Sequence, residues 1–285
     1  MSDVPVIADP AAMSAWSEAA RANGERIALV PTMGALHAGH LSLLAEGRRR
    51  AERLVLSIFV NPMQFGPQED LAKYPRDLAG DLAKAASVGC TMAFVPEAGS
   101  MYGPGFQTAI DVREVSQGLC GARRPGHFTG VATVVCKLFN IVRPHLALFG
   151  EKDFQQLAVI RRMVTDLNLP VEVVGLPTVR EPDGLAMSSR NAYLSAFDRQ
   201  RAASLYAGLS AARTLAEKGE RRASVLLEVA TTEIAARVDR IDYLEIRASD
   251  DLQPLDLIDR PAVMLVAAFV GGTRLIDNLR LGQAS

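Results

Sequence analysis

Five short runs at residues 27–30, 54–60, 92–95, 146–149 and 171–174 are apolar almost without interruption. A strand that reads this way, rather than alternating, is buried on both faces, as in a parallel sheet covered by helices. The segments between the runs carry helical spacing. The clearest places Phe128, Val131, Val134, Val135, Leu138, Phe139 and Val142 three and four residues apart and stops before Pro144. A second runs over 153–167 through Leu157, Ile160 and Val164. The alternation predicts an α/β fold: a doubly wound, Rossmann-like parallel sheet over residues 1–182, with ligands at the carboxyl ends of its strands. After Arg190 the pattern changes to two long helices at 196–218 and 222–238, then strands at 242–247, 262–270 and 273–281. Gly271-Gly272 reads as a tight turn between the last two. A smaller α+β lid domain over 183–285 is expected, with the linker near Pro182-Asp183-Gly184.

One strand end carries Met33-Gly34-Ala35-Leu36-His37-Ala38-Gly39-His40, just where the run 27–30 hands over to a helix. Free N–H groups and the positive dipole end of a new helix favour an anion there. Gly39 lets a phosphate approach the backbone. Two imidazoles at that point can donate hydrogen bonds to phosphate and neutralise charge as a leaving group departs. Zinc would want a third and fourth ligand, and no Cys or further His lies nearby in sequence. The pattern therefore points to nucleotidyl transfer, in which the α-phosphate of a nucleoside triphosphate is attacked and pyrophosphate leaves.

Three further loops carry chemistry. Asn61-Pro62-Met63-Gln64-Phe65-Gly66 follows the second run, and its two amides suit a small molecule bearing hydroxyl and carboxylate groups. Gly150-Glu151-Lys152-Asp153 follows the fourth and opens a helix; Lys152 places a point charge where phosphates gather, and Gln156 sits one turn further on. Asp153 is either a helix cap or a participant in the chemistry, and the residues alone leave both open. Asp183-Gly184-Leu185-Ala186-Met187-Ser188-Ser189-Arg190 combines hydroxyls with a guanidinium fork that can clamp triphosphate oxygens, in a place where a lid is commonly built.

Composition closes off several classes. A net charge of −1 on 285 residues gives no electrostatic footprint for nucleic acid. Cys90, Cys120 and Cys136 are widely spaced without a C-x-x-C, which predicts free thiols in a reducing cytoplasm. No secretory leader and no membrane span is expected.

The paired His-x-Gly-His and Met-Ser-Ser-Arg signatures resemble the nucleotidyltransferase superfamily that includes class I aminoacyl-tRNA synthetases. More narrowly, the chain resembles the pantoate–β-alanine ligases. The resemblance rests on residues 31–40, 59–65, 150–157 and 183–191 with Tyr74-Pro75-Arg76, all in the family's order, and extends over the tail.

The resemblance implies ATP, (R)-pantoate and β-alanine as substrates, a pantoyl-adenylate intermediate, and pantothenate, AMP and pyrophosphate as products. It implies Mg²⁺ with the ATP and a homodimer. It assigns Met33, Gly34, Ala35, Leu36, His37, Ala38, Gly39 and His40 to the nucleotide, with His40 as proton donor. It adds Gly150, Glu151, Lys152, Asp153, Val179, Met187, Ser188, Ser189 and Arg190 to the ATP site. His37, Lys152, Ser188 and Arg190 join His40 as catalytic groups. Gln64 and Gln156 take pantoate, with Gln64 also near β-alanine. Asp81 is marked as an outer ligand of Mg²⁺, and Arg124 and His127 as facing the site. The rival readings are another adenylyl- or cytidylyltransferase on the same scaffold and a nucleotide sensor without catalysis.

Overall fold

The computed structural model describes residues 4–282 except 68 and 70. The chain divides into two compact units: Met1–Glu151 with Val159–Pro177, and Lys152–Ala158 with Thr178–Ser285. The boundary at 182/183 expected from the sequence falls inside the second unit, and the short segment 152–158 belongs to that unit too.

The first unit runs β1 (Val6–Ile7), α1 (Pro10–Ala22), β2 (Ile27–Thr32), α2 (Ala38–Arg50), β3 (Arg53–Ile58), α3 (Leu78–Ser87), β4 (Met92–Phe94), α4 (Ala98–Met101), α5 (Leu119–Arg123), α6 (His127–Val142), β5 (Leu146–Gly150) and β6 (Glu172–Leu176). Helix α7 (Phe154–Asp166) begins in the second unit and continues in the first. The six strands form one parallel sheet in the order β1-β4-β3-β2-β5-β6. The chain winds outward from β2 through β3 to β4, then returns to β5 on the other side of β2. That reversal between β2 and β5 is the switch point beside which such sheets bind ligands. Leu29, Val30, Leu54, Leu56, Leu146 and Leu148 are all fully buried, which explains why these strands read as unbroken apolar runs.

Local signals set the helix ends. Asp9 accepts from Ala12 N ahead of Pro10, and Asp77 accepts from Gly80 N ahead of α3. Helix α6 starts after Gly126 in the left-handed region and stops at Arg143, also left-handed, before Pro144. Strand β1 escapes sequence analysis because it has only two residues and exists through its pairing with β4.

The second unit continues with α8 (Ala196–Ala202), α9 (Ser204–Glu217), α10 (Ala223–Ala235), β7 (Arg240–Ala248), β8 (Ala262–Val270) and β9 (Thr273–Leu281). The strands form an antiparallel sheet in the order β7-β8-β9. Leu205, Leu209, Leu226 and Ile234 from the helices join Met264, Val266 and Leu281 in its core. Gly271 and Gly272 both take positive φ in the β8–β9 turn, as a two-residue hairpin demands. The single helix expected at 196–218 is two: at Ala203 the N–H turns to Arg201 O, a tightening that no proline or glycine announces.

Candidate active site

The β2–α2 loop is built to present two imidazoles in fixed tautomers. His37 is the N-cap of α2, and its Nδ1 accepts from Gly39 N at 3.2 Å. The His37 N–H in turn donates to His40 Nδ1 at 3.3 Å, a reciprocal capping box made by histidines. A backbone N–H can only donate, so neither Nδ1 carries a proton while these bonds hold. In the neutral ring the hydrogen therefore sits on Nε2, leaving each ring one N–H donor directed away from its cap. The two rings lie 4.1 Å apart between centroids, tilted by 34°. Such a pairing at a helix start can offer hydrogen-bond donors to an anion at the positive end of the dipole.

What holds the loop is Asp81 on α3, the residue that the resemblance marks as an outer ligand of Mg²⁺. It is 1% exposed, and its two carboxylate oxygens accept from Ala35 N at 2.8 Å and Leu36 N at 2.7 Å. Gly34 and Ala35 both have positive φ, at 87° and 51°. For Ala35 that conformation is unfavourable, so the loop needs an anchor that over-determines it. A Cβ on Gly34 would come within 3.0 Å of the Asp81 carboxylate, so the close approach also requires glycine there. Asp81→Asn keeps the shape but faces one backbone N–H with another donor. We expect a stability loss of about 1–3 kcal/mol in a denaturant titration; unchanged stability would mean the loop does not depend on this carboxylate.

The β3 end carries Asn61 and Gln64. Asn61 is buried and caps a 3₁₀ turn, Pro62–Gln64, while Gln64 Nε2 lies 3.3 Å from Met33 Sδ. The turn seats directly on α6 because Gly130 has no side chain: a Cβ there would meet Met63 O at 2.4 Å. At the start of α6, Arg124 Nη1 donates to His127 Nε2 at 2.9 Å. Since arginine only donates, the imidazole hydrogen is on Nδ1, which donates to Gln64 O at 2.8 Å. Arg124 also forks onto Glu69, with Nε to Oε1 at 2.7 Å and Nη2 to Oε2 at 2.6 Å. Burial pushes the Glu69 carboxyl up, but the Arg124 hydrogen bonds prevail and hold it below the usual carboxylate range. Arg124 and His127 thus brace the Gln64 turn in this structure. A cavity of about 630 Å³ is walled by Arg124 with Arg113, Gln117 and Thr129, but not by the imidazole pair or Gln64.

In the second unit, Lys152 lies in a 3₁₀ turn, Glu151–Asp153, ahead of α7, and its carbonyl accepts from Asn278 Nδ2 at 2.8 Å. Gln156 is half-buried in the first turn of α7, and Asp153 is exposed. Val179 O accepts from Met187 N at 3.0 Å, so two residues assigned to the nucleotide are joined across a hairpin. Ser188 caps the 3₁₀ segment Ser189–Tyr193, accepting from Arg190 N at 3.3 Å. What pins this hairpin is not visible in local sequence. Arg180 bonds both oxygens of buried Asp277 at 2.7 and 2.9 Å, donates to Gly184 O, and lies 4.0 Å over the Tyr206 ring. Gly184 is required, since a Cβ would fall 2.3 Å from Tyr206 Cδ1.

Among the described residues, no group of three or more His, Cys, Asp or Glu side chains could hold a metal ion, and no helix is long and apolar enough to cross a membrane.

A family described as pantoate-beta-alanine ligase matches residues 5–280 of the chain. The pantothenate synthetase of Myxococcus xanthus is 57% identical over 270 residues, 94% of this chain and 92% of the relative. The crystal structure of pantothenate synthetase from Thermus thermophilus is similar at a TM-score of 0.93 and 45% identity, over 98% of this chain and 100% of that one. The pantoate-beta-alanine ligase of Francisella tularensis, complexed with beta-gamma ATP and β-alanine, is similar at a TM-score of 0.82 and 31% identity, over 97% of each chain.

Proposed function

The chain belongs to the pantoate-beta-alanine ligase family, and from that premise we propose how its own residues carry the ATP-dependent joining of pantoate to β-alanine. The observation that carries the proposal is the histidine capping box, which turns two Nε2–H donors into a fixed anion site at a helix start.

A carboxylate does not acylate an amine at neutral pH, because it is ionised and resonance-stabilised. The proposed route therefore has two steps. A pantoate carboxylate oxygen attacks the α-phosphorus of ATP; the new P–O bond forms as the bond to pyrophosphate breaks. The β-alanine amine then attacks the acyl carbon, AMP leaves with the C–O bond electrons, and the amine loses a proton. His37 and His40 donate hydrogen bonds to the phosphates, with His40 as proton donor to the departing charge. Lys152 neutralises charge that develops on the phosphoryl oxygens. Ser188 and Arg190 are proposed to join Lys152 as catalytic groups. The backbone of Met33–His40, together with residues 150–153, Val179 and Ser189, completes the ATP ligands, and Met187 is proposed among them. Gln64 and Gln156 hold pantoate, and Gln64 also contacts β-alanine.

Mg²⁺ is proposed to enter as part of the ATP substrate. Asp81 is proposed as an outer ligand of this ion: each of its carboxylate oxygens accepts one backbone N–H and keeps a lone pair that a metal-bound water can use. Phosphate oxygens and water are the donors proposed to touch the ion directly. The proposed assembly is a homodimer, supported by the family; a single-chain mass in sedimentation at micromolar concentration would overturn it. The proposed compartment is the cytoplasm, supported by three free thiols.

AMP should accumulate only when ATP, pantoate and β-alanine are all supplied, in a ratio of one to each pantothenate formed. AMP release with a different acid and none with pantoate would favour another adenylyltransferase. No turnover with any acid would favour a sensor.

A further inference from the structure

We propose that Tyr102 is a positioning residue for Gln64: its hydroxyl, donated to Asn61, completes a relay that locks the Gln64 amide with its NH₂ turned to the substrate side. The proposal rests on the reading that Gln64 holds pantoate.

The relay can be oriented without assuming any proton position. Asn61 is 1% exposed and its side chain makes four contacts. Two are to backbone groups whose roles are fixed. Met63 N–H, at 3.3 Å, can only donate, so the atom facing it is Oδ1. Gly130 C=O, at 3.1 Å, can only accept, so the atom facing it is Nδ2. An amide flip would break both. The remaining two contacts then have one solution each. Tyr102 Oη, 2.7 Å from Asn61 Oδ1, must donate. The Gln64 atom 3.1 Å from Asn61 Nδ2 must be its oxygen. The Gln64 NH₂ is thereby sent to the opposite side, where Nε2 lies 3.3 Å from Met33 Sδ in the imidazole-bearing loop.

Gln64 is thus a committed hydrogen-bond donor. It suits the acceptor oxygens of a hydroxy acid's carboxylate or hydroxyl, and it is unsuited to a cationic group in the same place. Tyr102 supplies the shortest bond in the relay. Burial pushes its phenol up from the ordinary value, so the hydroxyl remains a donor at any working pH. The ring is held independently of the hydroxyl: edge-on to Phe106 at 5.0 Å, tilted against Phe59 at 6.1 Å, with the Lys137 ammonium 5.9 Å from its centroid. Tyr102→Phe therefore removes one hydrogen and one oxygen from the relay and leaves the packing in place. Asn61 Oδ1 keeps only the longer bond from Met63, and the Gln64 amide loses its single orientation.

The test is a double-mutant cycle on steady-state kinetics. Tyr102→Phe should lower kcat/KM for pantoate about three- to tenfold, the range of one lost hydrogen bond, while the KM for ATP stays within about twofold. In a Gln64→Ala background the same substitution should change kcat/KM for pantoate by less than about twofold, because its route to the substrate has been removed. A full Tyr102→Phe effect that persists without Gln64 would overturn the relay, since it would show a general structural role. So would no effect of Tyr102→Phe beside a large effect of Gln64→Ala. If Gln64→Ala instead raised the KM for ATP and left pantoate untouched, the assignment of Gln64 itself would fall, and the proposal with it.

Discussion

Replacing His40 with alanine should slow the first half-reaction by about a hundredfold to a thousandfold in a protein that stays folded. The site explains both parts of that expectation. The ring's Nδ1 accepts from the His37 N–H, so the group proposed to act in catalysis is the Nε2 hydrogen. Alanine deletes that donor where pyrophosphate must leave. It also deletes half of the capping box, worth roughly 1 kcal/mol, which is too little to unfold a chain with so extensive a core. Single-turnover pyrophosphate release measures the step directly. A folded variant within a few-fold of the parent rate would remove His40 from the chemistry.

Lys152→Ala should cost about a hundredfold or more, and the loss should fall on kcat rather than on the KM for ATP. An ammonium aimed at charge that develops during transfer binds the transition state better than the ground state, and only that difference accelerates the step. The surrounding structure fits a positioned charge. The Lys152 carbonyl is tied to Asn278 of β9, so the backbone that carries the side chain is fixed. Comparing kcat with the KM for ATP over a full substrate titration makes the distinction. A variant whose only defect is a raised KM for ATP would show that Lys152 merely binds the ground state.

Much of this fold is legible in sequence because burial writes itself into composition. The core strands β2, β3 and β5 are covered on both faces and so carry unbroken apolar runs, and β8 and β9 match the expected 262–270 and 273–281. Strand β1 was not legible, since two residues carry no period. The split between α8 and α9 was not either, because it is a local change of hydrogen-bond partner at an alanine.

The site divides in the same way. The histidine pair, the amides and Lys152 announce themselves as polar groups at strand ends. Their supports do not. The sequence shows the Asp81 carboxylate but not the two N–H groups, more than forty residues away in the chain, that it holds. Arg180 and Asp277 are separated by 97 positions, and Asn278 from Lys152 by 126, so nothing local links them. Tyr102 carries no motif or spacing that marks it in the sequence. Only the geometry of Asn61 gives it a role.

In the proposed two-step route, pantoate attacks the α-phosphorus of ATP before the amine is needed. Isotope exchange between labelled pyrophosphate and ATP reads that step alone. With ATP, Mg²⁺ and pantoate but no β-alanine, the label should enter ATP. Omitting pantoate should stop the exchange, because no nucleophile remains for the α-phosphate, and His40→Ala should stop it as well. Exchange that appears only when β-alanine is added would contradict a free-standing pantoyl adenylate and the two-step route built on it.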